Sequence, residues 1–154
     1  MPRPVKEKYK LTATFDAPLD YVFKWCTDFR EDDNKMIGSK TERKILEKTP
    51  ERVIWRVRYK DGKGYAEGVR AVWLHPPNIW TLDTCGDGRE VGQYKLKALG
   101  KSKTRLDMKF AVTYDSKGEV EDKDEWEADG VEHWKIYKKM LEADFKAGKP
   151  AATP

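Results

Sequence analysis

The chain has 154 residues, of which 38% are hydrophobic, 38% charged and 12% aromatic, with six Trp. That length suits one domain with a core of its own, and so aromatic a composition excludes a disordered chain. The 31 Lys and Arg stand against 27 Asp and Glu, a net charge of +4; the two signs interleave, which speaks for a solvated surface and against a clustered nucleic-acid footprint.

Tyr9, Leu11, Ala13 and Phe15 alternate with Lys8, Lys10, Thr12 and Thr14, a period of two that predicts a half-buried strand. Asp16-Ala17-Pro18 follows. Asp16 is placed to cap a helix, and Pro18 suits its first turn, where no N–H is needed. Leu19, Val22, Phe23 and Cys26 fall at i, i+3, i+4 and i+7 and Phe29 extends the face, so residues 16–29 predict one short helix. The polar run ending in Met36, Ile37 and Gly38 predicts a second short helix or a turn.

From Lys40 to Tyr114 the rhythm is that of six strands, "TERKILEK", "RVIWRVRYK", "GYAEGVRAVWLH", "IWTLDT", "VGQYKLKAL" and "TRLDMKFAVTY", rich in β-branched and aromatic residues. Turn signals such as Thr49-Pro50, Asp61-Gly62, Pro76-Pro77-Asn78 and Gly100-Lys101-Ser102 separate them. Connections this short predict an antiparallel meander. Residues 119–149 then predict one long helix, with Trp126, Gly130, Trp134, Tyr137 and Leu141 as its apolar stripe and Val131, Met140 and Phe145 beside it. Acidic residues crowd its start and Lys its end, as the helix dipole prefers. Residues 148–154 read as a frayed tail. Seven antiparallel strands curl strongly, and the stripe of the long helix must be buried on their concave side.

This order of elements resembles the START/SRPBCC superfamily, the helix-grip fold. The stretch "FDAPLDYVFKWCTDF" after the first strand carries the resemblance, most specifically Ala17-Pro18 with Val22-Phe23, and it extends over about residues 5–147. Members include START lipid carriers, polyketide cyclase/aromatase-like proteins, plant hormone-binding proteins and heat-shock-chaperone activators. The resemblance implies an α+β fold: a seven-stranded curved antiparallel sheet wrapped around a long C-terminal helix, two short helices after the first strand, and one domain over residues 1–154. It also implies a hydrophobic cavity between sheet and helix. It does not imply one reaction.

Residues that bear chemistry are few. His75, His133, Cys26 and Cys85 have no metal-ligand spacing, so neither a metal nor a cofactor is expected, and the two Cys read as small apolar residues of a reducing cytosol. There is no G-x-S-x-G, and "DGKG" and "CGDGRE" read as hairpin turns, not phosphate loops. Glu67 is in phase with Tyr65, Val69, Ala71 and Trp73; if that phase faces the cavity, Glu67 is a weak catalytic candidate as an acid or base. A bulge at Gly68 would reverse the phase. Asp83 and Asp107 alternate with leucines and point to solvent.

Aromatics supply the rest. Trp55 shares a phase with Tyr59, Trp80 with Leu82, Tyr94 with Leu96, and Met108 with Phe110; Trp134 and Tyr137 lie one turn apart on the long helix. These are either plain core or the walls of a ligand cavity, where Trp and Tyr combine a large apolar body with one polar tip. With Tyr65, Glu67 and Trp73 they form the candidate ligand-binding set. Gly130 costs helix stability and reads as a bend, a close approach or neutral drift.

The expected function is binding or transport of a small hydrophobic or amphipathic molecule, such as a lipid, isoprenoid, polyketide or aromatic metabolite, oriented by Glu67 or Tyr65. Residues 16–38 and the hairpins at 61–64 and 86–88 would form its lid. A cyclase/aromatase-like enzyme using Glu67, Tyr65 or His133 is one alternative. A partner-binding module using a basic sheet exterior of Arg43, Arg56, Arg58 and Arg70 is the other. No apolar run approaches the about 18 residues of a membrane span, and the N-terminus lacks the apolar segment of a signal peptide, so no stable membrane insertion and a cytoplasmic address are expected.

Overall fold

The alternating segments become strands β1 (Val5–Phe15), β2 (Glu42–Lys48), β3 (Arg52–Asp61), β4 (Gly64–His75), β5 (Ile79–Cys85), β6 (Gly88–Gly100) and β7 (Lys103–Tyr114). Helix α1 (Leu19–Cys26) follows β1, and helix α2 (Lys123–Lys146) follows β7. The structure is a computed structural model that describes residues 5–30, 42–61, 64–86, 88–114 and 123–151. The second short helix expected before residue 38 lies outside the described residues, as do positions 119–122 of the predicted long helix.

All seven strands join one antiparallel sheet in the order β1-β7-β6-β5-β4-β3-β2. Short turns make each of β2 to β7 the neighbour of the next, and β1 closes onto β7 with Tyr9 opposite Phe110 and Leu11 opposite Met108. The sheet curls around α2 and buries one face. Tyr9, Leu11, Phe15, Val53, Trp55, Val72, Trp80, Leu82, Leu96, Leu106, Met108 and Phe110 are its buried apolar side chains among the described residues. No helix among the described residues is long and apolar enough to cross a membrane.

Helix α1 differs from expectation at its start. Pro18, not Asp16, is the N-cap, in an extended conformation and without a side-chain cap. The backbone N–H of Asp16 instead donates to Glu142 Oε2 at 2.6 Å, tying the end of β1 to α2. The carboxylate of Asp20 accepts from the Tyr21 N–H within the first turn, where negative charge complements the helix dipole. Val22 and Phe23 are the buried face. Thr27 ends the helix by donating its backbone N–H and its hydroxyl to the Phe23 carbonyl. The buried Thr104 hydroxyl donates to the Ala17 carbonyl at 2.8 Å, anchoring the β1–α1 turn on β7.

Helix α2 packs most closely against β1. Gly130 is the point of approach: a Cβ there would meet Leu11 Cδ1 at 2.5 Å. Lys138 Nζ donates to the Thr14 carbonyl, Trp25 Nε1 to Asp144 Oδ2 at 3.0 Å, and the Tyr21 hydroxyl to the Lys149 carbonyl. Leu141 lies among these ties with no exposed surface. The close end of α2 is thus fastened to β1 and α1.

Candidate functional site: the concave face of the sheet

Antiparallel register sets side chains from distant segments in a row across the concave face. Ile45 lies opposite Trp55, Trp55 opposite Arg70, Arg70 opposite Thr84, and Thr84 opposite Glu90. Arg70 Nε donates to Thr84 Oγ1 at 2.6 Å, and its terminal nitrogen donates to Glu90 Oε2 at 3.1 Å. These two side chains are 29% and 24% exposed, so the ion pair is largely withdrawn from water. Charge-assisted bonds of this kind hold their geometry. On β2, the Arg43 guanidinium stacks 4.4 Å from the Trp55 ring centroid and donates to the Arg30 carbonyl.

Aromatic rings surround this polar row. Trp80 and Tyr94 stack with centroids 4.9 Å apart and planes 8° apart. Phe23 of α1 meets Trp80 edge-on at 5.8 Å, and Phe110 meets Tyr94 at 5.4 Å. From α2, Trp134 reaches Tyr94 at 6.3 Å and Tyr137 at 5.3 Å. Phe29 lies on Trp55 at 5.1 Å. Gly92 keeps the wall low between Leu82 and Phe110, where a Cβ would come within 2.8 Å of the Phe110 ring. Sheet, α1 and α2 therefore share one aromatic groove with a polar pair on its floor.

Tyr94 and Cys26 sit deep in that groove. Burial pushes the Tyr94 hydroxyl above the ordinary Tyr range; nearby Arg70 draws it back, while Glu90, Tyr137 and Cys26 push it further. Burial likewise pushes the Cys26 thiol up. Both residues nonetheless keep some accessible surface.

Comparison with solved structures finds the same architecture elsewhere. The Zhui aromatase/cyclase from a Streptomyces species is similar over 91% of this chain and 93% of its own, at 14% identity and a TM-score of 0.69. Ara h 8.0201 is similar over 90% and 97%, at 14% identity and a TM-score of 0.64. A START superfamily protein from Mycobacterium smegmatis is similar over 91% and 97%, at 16% identity and a TM-score of 0.62. The chain has the helix-grip fold. No family model and no curated protein matches it in sequence.

Within the helix-grip groove lie Trp55, Trp80, Tyr94, Met108, Phe110, Trp134 and Tyr137, brought together from four strands and α2's inner stripe. The side chains of Tyr59 and Tyr65 are outside the described residues. Glu67 and Trp73 do not face the groove. β4 runs through Gly68 in unbroken register with β3, so no bulge changes its phase. Gly68 instead permits a close approach, since a Cβ there would lie 2.7 Å from the Cys85 carbonyl oxygen. The inward set is Arg70, Val72 and Leu74; Glu67, Val69 and Trp73 point outward. Glu67 is 52% exposed and pairs with Arg58 at 3.1 Å. Trp73 is 42% exposed with the Arg52 guanidinium over its ring. His133 is exposed on α2.

The basic exterior also divides. Arg56 and Arg58 are exposed on the outer face, whereas Arg43 and Arg70 turn inward onto Trp55. On the outer face Asp83 accepts two bonds from Arg89, the first cause that holds its carboxyl below the usual carboxylate range. Sequence reasoning missed Arg70 and Glu90 as groove residues. The one available signal was that Arg70 alternates with Val69 and Ala71 but shares its phase with Val72 and Leu74.

The two thiols test this placement. Cys85 is exposed and Cys26 is enclosed with a raised pKa. Iodoacetamide at neutral pH is expected to alkylate Cys85 first, with Cys26 slower by at least about a hundredfold because its thiolate is scarce and shielded. Peptide mass spectrometry over time reads both rates; equal rates would refute an enclosed Cys26.

Proposed function

We propose that the chain binds a small hydrophobic or amphipathic molecule between the concave face of the sheet and α2. The aromatic groove between sheet and α2, with a half-buried Arg70–Glu90 pair on its floor, carries this reading. Around it, apolar rings supply area whose removal from water favours binding by about 25 cal/mol per Å² before the costs of association. The Arg70–Glu90 pair supplies the polar group that orients an amphipathic guest. The helix-grip neighbours support a ligand-binding fold in general.

Glu90 also gives the groove a carboxylate, so acid–base chemistry on a bound guest, as in a cyclase/aromatase-like enzyme, is the second reading. The commitment of that carboxylate to Arg70 favours binding over turnover. Native mass spectrometry of the purified chain, followed by solvent extraction, tests the proposal. A reproducible small adduct, or one taken up from a panel of lipids and aromatic compounds, is expected. A chain that stays at its bare mass against the whole panel would refute it.

A further inference from the structure

We infer that the groove prefers a planar aromatic acid, with its carboxylate on Arg70 and its ring against the aromatic wall. The inference rests on the binding reading above and gives the guest its chemistry.

Hydrogen-bond accounting on the groove floor carries it. A guanidinium has five N–H donors. Arg70 spends two of them, on Thr84 and Glu90. Its remaining donors have no acceptor among the described residues. The Tyr94 hydroxyl, deep in the same space, has no hydrogen bond among the described residues either. The indole N–H groups of Trp55 and Trp80 are in the same position, although each residue is 2% exposed. Buried polar groups are almost always paired. These unspent groups are donors, or in Tyr94 a protonated hydroxyl that can donate. The matching guest is rich in acceptors. A carboxylate offers two oxygens with about four lone-pair sites and fits the end of the guanidinium fork, between its two terminal nitrogens, the Nε edge being taken by Thr84 and Glu90.

Glu90 sharpens the requirement. It is the carboxylate that Arg70 already holds, 3.1 Å away, and a guest carboxylate adds a second acceptor to the same cation. Arg70 is 29% exposed, so a guest can reach it without breaking the pair. The wall favours a flat ring over a flexible chain. The faces presented by Trp80, Tyr94, Phe110, Trp134 and Tyr137 pack against aromatic edges and faces with defined geometry.

Calorimetric titration of the full chain with 2-naphthoic acid and with its neutral isostere 2-naphthamide tests this at neutral pH. The acid is expected to bind at least about tenfold more tightly than the amide, the scale of a charge-assisted bond. Arg70→Leu should abolish that preference, weakening the acid by at least about tenfold more than the amide. Glu90→Gln should move the other way, tightening the acid and not the amide, because Arg70 is released from its competing carboxylate. A merely structural pair would not give this opposed response. If the single variant R70L fails to fold, R70L/E90Q removes both charges together and must also lose the preference. Equal affinity of acid and amide in the parent chain, or a preference that survives the loss of Arg70, overturns the inference and leaves the binding reading standing. Failure of both probes to bind overturns the inference, while the binding reading is decided separately by the adduct experiment.

Discussion

Truncation of Trp80 to Ala is expected to lower the free energy of unfolding by about 3–5 kcal/mol, the usual cost of deleting a buried aromatic side chain. Trp80 is 2% exposed and joins three elements. It stacks on Tyr94 of β6 at 4.9 Å and takes the edge of Phe23 from α1 at 5.8 Å. Its loss removes the ring that fastens α1 to the sheet and leaves a cavity that neighbouring strands, held by their register, cannot close. Against a total stability of about 5–15 kcal/mol, that is a large share. Denaturant unfolding followed by circular dichroism reads the effect as a lower midpoint at unchanged slope. The matched control is Trp73→Ala on the outer face, which deletes the same side chain where it is 42% exposed; its cost should stay within about 1 kcal/mol, mostly the contact with Arg52. Equal losses at the two positions would contradict the phase of β4 and β5.

Leu141→Asp is expected to be more damaging still, about 4–5 kcal/mol or outright failure to fold. Leu141 has no exposed surface and lies on α2 amid the bonds that hold this helix to β1 and α1. The new carboxyl would enter that site beside Glu142 and Asp144, both already engaged with Asp16, Lys138, Trp25 and Lys149. Burial raises the pKa of such a group in the folded state above its unfolded value. The folded state therefore binds the extra proton more readily, and the deficit shrinks as pH falls through that raised pKa. Leu141→Met, which keeps volume and polarity, should cost less than about 1.5 kcal/mol. Parallel melts of the two variants at neutral and acid pH check both points. A tolerated Leu141→Asp would mean that α2 does not seal the groove.

Element order was legible because its causes are local. Alternation in Tyr9–Phe15, the i, i+3, i+4, i+7 face of Leu19–Cys26 and the Gly and Pro turns between strands each depend on residues close in sequence. The cap of α1 was less legible. Asp16 has the right chemistry, yet its N–H is drawn to Glu142, 126 residues away, and Pro18 takes the cap position. The aromatic wall was partly legible: rings at alternate positions of β3, β5, β6 and β7 do gather on one face.

Which face β4 turned inward was not legible. Its two alternating sets, Val69-Ala71-Trp73 and Arg70-Val72-Leu74, are both mainly apolar, so hydrophobicity cannot rank them, and the set with the larger aromatic is the one left outside. Only register decides it: Trp55 is buried, Arg70 lies opposite Trp55, and so Arg70 goes in and Glu67 goes out. The same register places Thr84 and Glu90, 14 and 20 residues further along the chain, within hydrogen-bonding reach of Arg70. By itself the sequence determined the strands, the helices and their amphipathic faces, because short-range periodicity specifies them. The tertiary structure alone decided that a guanidinium and a carboxylate stand on the floor of an aromatic groove, because pairing between distant strands, and no local preference, sets which side chains meet.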